Sequence, residues 1–370
     1  MGSQRFTELD ALRGIAALVV VFGHYGRMWG QASDGLSLGQ IVRYPLVAAH
    51  ESVIFFFLLS GFVLAVPLLK GKGHPYFTFI VRRVVRIYLP YLAALALGVW
   101  GASVWHGHLG RGAWADGTWS QPVSASLVFK HILFLGDYDV AQYNTAFWSL
   151  VYEMRISLIF PLLFVLINAL RVRYGLMVAA GLSLLSQVLD KPKLHDDVAT
   201  FQYLAVFAVG IILAKNLDGI SRRYRGVALW WRALFGIAAL SLYCEGHFLG
   251  RIRGAWRIEE AVLVAGGCGI IVVCLNSDVP RRFLNSPLPS FLGRISYSLY
   301  LVHGTVLFFL AMEVHGSQRP GMFLAYLTLA IAGATVFHFL VEDPCMRWSR
   351  SLGRGRVKSP DRVVTLLSAG

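Results

Sequence analysis

The sequence predicts an all-α, polytopic transmembrane helix bundle of about ten spans with both termini cytoplasmic, and three observations point there. Of its 370 residues, 56% are hydrophobic and 15% charged, too apolar a balance for an ordinary soluble domain. Apolar stretches of about 20 residues, enough to cross a hydrocarbon core of roughly 30 Å, recur along the chain between short polar loops. The third observation is where the basic residues fall. With the segments assigned alternately from a cytoplasmic N-terminus, 23 of the 34 Lys and Arg lie inside, 10 lie outside, and Arg155 sits within a span. That is the positive-inside bias, and adding or losing one helix scrambles it.

The spans are read at 11–29, 46–69, 85–106, 147–169, 174–190, 200–215, 228–248, 258–276, 291–312 and 321–341. The first apolar run, Leu12 to Phe22, continues through His24, Tyr25 and Trp29 without a small-residue cleavage pattern, so it is expected to remain as a span. The run from Ser124 to Leu135 is too short to cross and carries Lys130 and His131. It is predicted to be an interfacial or re-entrant piece of the longest external loop, 107–146. Residues 1–345 are expected to form one membrane-embedded domain and 346–370 a basic cytoplasmic tail, with no internal repeat.

A net charge of +14 raises the question of a nucleic-acid partner. The arginines punctuate hydrophobic segments, however, and do not form one solvated face, so the lipid bilayer is the expected partner and nucleic acid is not. The four cysteines form no CxxC pair and show no Cys/His ligand spacing. They are expected to be reduced structural thiols, with no metal site.

Ionisable groups within spans are costly and need a reason. At 1.5 Å per helical residue, His24 lies roughly 20 Å up the first span and His303 roughly 20 Å up the ninth. Glu153 enters the fourth span from the opposite side, about 10 Å below the outer surface. His50 and Glu51 open the second span nearer that surface. Two histidines and two carboxylates thus share one layer, which suits general-base chemistry or, more blandly, hydrogen bonding between helices. Arg13 and His24, eleven residues apart, share a helix face about 16 Å apart, a length comparable to a pantetheine arm. Arg13 also suits a simple positive-inside anchor. Arg82, Arg83 and Arg86 open the third span, with Arg83 and Arg86 at i, i+3. Guanidinium forks suit the phosphates of a nucleotide or, equally, lipid headgroups.

Several segments together resemble the acyltransferase type 3 family of membrane O-acyltransferases. They are Glu8 to Leu18 followed by His24, Phe55 to Leu64, the arginine motif ending at Arg86, Phe147 to Glu153, Ile295 to His303, and Phe339 to Pro344. They occur in family order over nearly the whole chain. The resemblance implies His24 as the catalytic residue and Arg83 with Arg86, helped by Arg13, as the acyl-CoA site. Glu153 is carried over as a second catalytic residue, with Glu153 or Glu51 steadying the imidazolium. The resemblance further implies acyl-CoA, acetyl-CoA first, as donor. It implies a carbohydrate or other hydroxylated acceptor approaching past Trp148 and the 107–146 loop, and a bacterial inner-membrane location. The sequence departs from the common pattern at Met154-Arg155, Asp343 and Cys345. The rival reading is a carrier or flippase without catalysis. No inverted repeat and no matched pair of broken helices supports it.

Overall fold

The computed structural model describes residues 6–29, 44–134, 138–189, 195–250, 256–313 and 321–352, all helix and connecting loop with no strand among them. In chain order the helices are α1 (Thr7–Met28), α2 (Ala49–Leu69), α3 (Tyr76–Val104), α4 (Ala125–Leu133), α5 (Phe147–Ala169) and α6 (Val172–Leu189). They continue with α7 (His195–Gly226), α8 (Leu229–Gly250), α9 (Trp256–Asn276), α10 (Asp278–Leu284), α11 (Pro287–Glu313) and α12 (Met322–Ser351). Among the described residues nine of these are long and apolar enough to cross a membrane, and α8 carries a shorter apolar stretch, Leu229–Cys244. In a bilayer only a helix satisfies its own backbone donors and acceptors, which is why the apolar runs resolve as helices from end to end.

Three boundaries differ from the reading of hydropathy. The third helix starts at Tyr76, not 85, so Arg82, Arg83 and Arg86 lie along it and do not cap its mouth. The sixth and last spans run on to Gly226 and Ser351. The start of the 346–370 tail therefore continues α12, and residues 353–370 lie outside the described residues. A hydropathy window stops where charges begin; a helix with a polar end outside the lipid does not.

Contacts sort the helix ends onto two sides, in the alternation that the charges predict. On the basic side Arg281 pairs with Glu8 at 3.1 Å, Thr7 bonds Asn285 at 2.6 Å, and Lys215 donates to the Leu170 carbonyl at 2.9 Å. Ser349 there donates to the Arg82 carbonyl at 3.0 Å. On the opposite side Tyr44 meets Glu51, Gln202 meets Glu260, and Ser186 donates to the Val198 carbonyl at 3.1 Å.

One helix crossing sets the centre of the molecule. A Cβ added to Gly14 would lie 2.3 Å from the Gly293 backbone nitrogen, and one added to Gly293 would lie 2.5 Å from the Asp10 carbonyl oxygen. Lipid tails supply no hydrophobic force between helices, so close backbone contact through small residues carries the association. Here α1 and α11 touch backbone to backbone and run in the same direction from that point.

Candidate active site

Ten residues beyond Gly14 stands His24, and ten beyond Gly293 stands His303. The two rings meet: His24 Nδ1 and His303 Nε2 are 3.0 Å apart, with ring centroids 5.1 Å apart. His303 is fully buried, and its Nδ1 lies 3.0 Å from the Leu299 carbonyl oxygen. A carbonyl only accepts, so Nδ1 of His303 carries the proton, and in the neutral ring Nε2 is then an acceptor. His24 Nδ1 must therefore donate, which leaves the lone pair on His24 Nε2. That atom has no hydrogen-bond partner among the described residues, and the His24 ring is only partly buried. A partly open imidazole with its tautomer fixed by a neighbour is an arrangement that can accept a proton.

The loop between α3 and α5 closes over this pair from the side away from the basic ends. Asn144 is fully buried: its amide donates to the Leu301 carbonyl at 2.9 Å and its oxygen accepts from the Ala146 amide at 2.9 Å. The next residue, Thr145, brings its hydroxyl to 3.5 Å from His24 Nδ1. Trp114 sets its ring 5.1 Å from the His24 ring, and the Arg27 guanidinium lies over that indole at 5.1 Å. Trp119, fully buried with φ +54°, anchors the loop through its indole N–H to the Tyr143 carbonyl at 3.2 Å. The short helix α4 matches the expected re-entrant piece in length. Its His131 is fully buried, and Nε2 donates to the Asp139 carbonyl at 3.2 Å. Burial pushes that imidazole down to about 4.

Toward the basic side the arginines separate into different roles. Arg83 is buried: its Nη2 meets Glu153 Oε1 at 3.0 Å, and its Nε donates to Ser157 Oγ at 3.0 Å. Arg13 donates to Ser60 Oγ at 3.3 Å, and Ser60 in turn lies 3.5 Å from Glu153. Arg86 lies among Arg13, Arg83, Asp10 and Glu342 yet stays exposed, with no hydrogen bond or ion pair among the described residues. The cause is local. Residues Val84–Tyr88 form a π-helical turn, whose wider ring changes the angle between successive side chains, so the face shared by Arg83 and Arg86 in a regular helix is split. A second π-helical turn, His338–Glu342, lies within α12, and the segment that follows it, Asp343–Ser351, contacts the first. Its Glu342 accepts from Ser298 at 2.6 Å and lies 2.9 Å from His338 Nδ1.

Glu153 and Glu51, named as partners of the His24 imidazolium, touch other groups. Glu153 is held by Arg83, and Glu51 by Tyr44. The ring beside His24 is His303, which the sequence placed at the right depth without showing that the two faces meet. Glu153 faces His303 only through Tyr300, whose ring is 5.9 Å from that of His303 and whose hydroxyl bonds Ser149 at 2.7 Å. Trp148 packs against Tyr152 and Tyr203, away from His24, and Trp114 takes the place expected of it. His50 lies 4.0 Å from Glu260 on the outer side. Among the described residues no group of three or more His, Cys, Asp or Glu is placed to hold a metal ion. Thr145, Asn144 and Trp114 carried no sequence signal, because loop residues show no periodicity that reveals where they fold back.

A multi-pass membrane protein with two facing histidines in its centre and arginines toward one end is the class that fold and site define. The chain matches the model of the acyltransferase domain of type 3 over residues 6–340 and belongs to that family. It is 27% identical over 392 residues to "Acyltransferase MdmB" of Streptomyces mycarofaciens, covering 95% of this chain and 94% of that protein. It is also 38% identical over 98 residues to "Protein 2 in picA locus" of Rhizobium radiobacter, a match spanning 25% of this chain and 44% of that one. No solved structure matches the chain. The protein is a membrane acyltransferase, and the carrier reading falls.

Proposed function

We propose that the enzyme transfers an acyl group, acetyl first, from acyl-CoA on the cytoplasmic side to a hydroxyl of a glycan or glycan-like acceptor, with His24 as general base. The observation that carries this reading is the His24–His303 contact, since it leaves His24 Nε2 a free lone pair in the bundle centre. The donor's phosphates would meet the open Arg86, Arg13 and the remaining Nη1 of Arg83, and the thioester would extend along α1 to His24. Nε2 takes the acceptor's hydroxyl proton as the oxygen attacks the thioester carbonyl. The tetrahedral intermediate collapses, the C–S bond breaks, and the imidazolium returns its proton to the leaving thiolate. His303 Nε2 accepts from His24 Nδ1 throughout, steadying the imidazolium without itself changing charge. Glu153 serves one step removed, by neutralising the buried Arg83.

The test is purified protein in bilayer discs, radiolabelled acetyl-CoA and cell-envelope glycan as acceptor. Labelled glycan and released CoA are expected, and His24→Asn should lower transfer by about 10²–10⁴-fold. An unchanged rate in that variant, with normal expression, ends the reading.

A further inference from the structure

On the side of His24 away from the basic ends, two contacts cross between α1 and the loop. Arg27 of the helix lies over Trp114 of the loop at 5.1 Å, and Arg111 of the loop lies over Trp29 at the helix end, at 5.5 Å. Arg27 is exposed and has no hydrogen bond or ion pair among the described residues. A guanidinium stacked on an indole uses its flat face, and its N–H donors remain free at the edge. The Trp29 Nε1 donor is buried and has no hydrogen-bond partner among the described residues. Arg27 follows His24 by three residues, so both side chains sit on one helix face with Cβ atoms about 5–6 Å apart. A cation in the last turn of a helix is favoured by the helix dipole alone. That effect explains neither the stacking on the indole that also touches His24 nor the absence of an acidic partner among the described residues.

Resting on the general-base reading of His24, we propose that Arg27 and Trp114 form the acceptor subsite, selecting an acceptor with an anionic group about one sugar ring from the hydroxyl to be acylated. The N–H edge of Arg27 pairs bidentately with the anion while the hydroxyl points at His24 Nε2. A carboxylate and a phosphate share this chemistry, and the experiment separates them.

Equilibrium binding of methyl glucuronide, methyl phosphate and methyl glucoside is measured on the full chain in bilayer discs, for the wild type and for Arg27→Gln. One of the two anions is expected to bind the wild type at least about tenfold more tightly than the variant, the scale of a charge-assisted bond. The neutral glucoside should bind both alike. Preference for the glucuronide assigns an acidic sugar, and preference for the phosphate a phosphorylated acceptor. Equal binding of both anions by wild type and variant overturns the proposal. Arg27→Lys, which keeps the charge but not the fork, should recover part of the affinity, and unchanged acetyl-CoA binding certifies the fold of each variant. His24→Asn should keep anion binding while losing transfer. If it kept both, the base assignment would fail and the anion subsite would stand.

Discussion

The two cationic regions flanking the histidine pair are built by opposite means. On the basic side Arg83 is buried between helices and tied to Glu153 and Ser157, while Arg86, three residues on, is open and unpaired among the described residues. On the other side Arg27 has no such network among the described residues, and both Arg27 and Arg111 rest on indole faces at the junction of a helix and a loop. An arginine tied into buried hydrogen bonds holds structure, and one left open is available to a ligand. Motif spacing alone cannot tell the two apart.

The largest expected effect tests that division within the basic side. Arg83→Ala leaves the partly buried Glu153 without its ion partner, a loss of up to about 3 kcal/mol. Little folded protein should be recovered, and adding Glu153→Gln should restore much of it. Arg86→Ala should express normally and raise the KM for acetyl-CoA about tenfold or more, the scale of a lost charge-assisted contact. Equal behaviour of the two variants in size-exclusion yield and kinetics would dissolve the contrast.

Next in size, Gly14→Val drives a side chain into the Gly293 backbone and parts the two helices that carry the histidines. Overpacking of this kind costs about 1–3 kcal/mol, but the larger effect should fall on turnover, because the His24–His303 contact is lost. A His303→Gln variant should lower kcat by about 10- to 100-fold, less than replacement of His24 itself, through loss of the fixed tautomer. A variant with normal kcat would show that the neighbouring ring is dispensable.

The smallest effect is expected in the loop. The imidazole of His131 is held neutral near 4 by burial, below its ordinary value of about 6.5. Its stabilising contribution is therefore complete above that ordinary value and is lost as pH falls toward 4, amounting to about 2 kcal/mol by pH 5. Protease nicking of the loop should rise between pH 6.5 and 5 in the wild type. His131→Gln should flatten that dependence.

Which features were legible in the sequence follows from the physics that sets them. Span number and the sidedness of the basic loops depend on length, hydropathy and charge count, all of which are properties of the linear chain. Depth is also one-dimensional, so His24 and His303 could be placed in one layer. Azimuth and lateral neighbours are not, and it took the Gly14–Gly293 contact to turn a shared layer into a facing pair. Glu153 illustrates the same limit: its depth matched His24, but the guanidinium of Arg83 lay nearer.

The sequence by itself determined that this chain lives in a membrane as a bundle of many helices, and which residues had to be explained there. Only the tertiary structure decided which of those residues meet, that Trp114 and not Trp148 packs against His24, and which arginine is left open. Hydropathy acts on each segment separately, whereas the rotation of a helix about its axis and the path of a loop are set by close packing against partners distant in the chain.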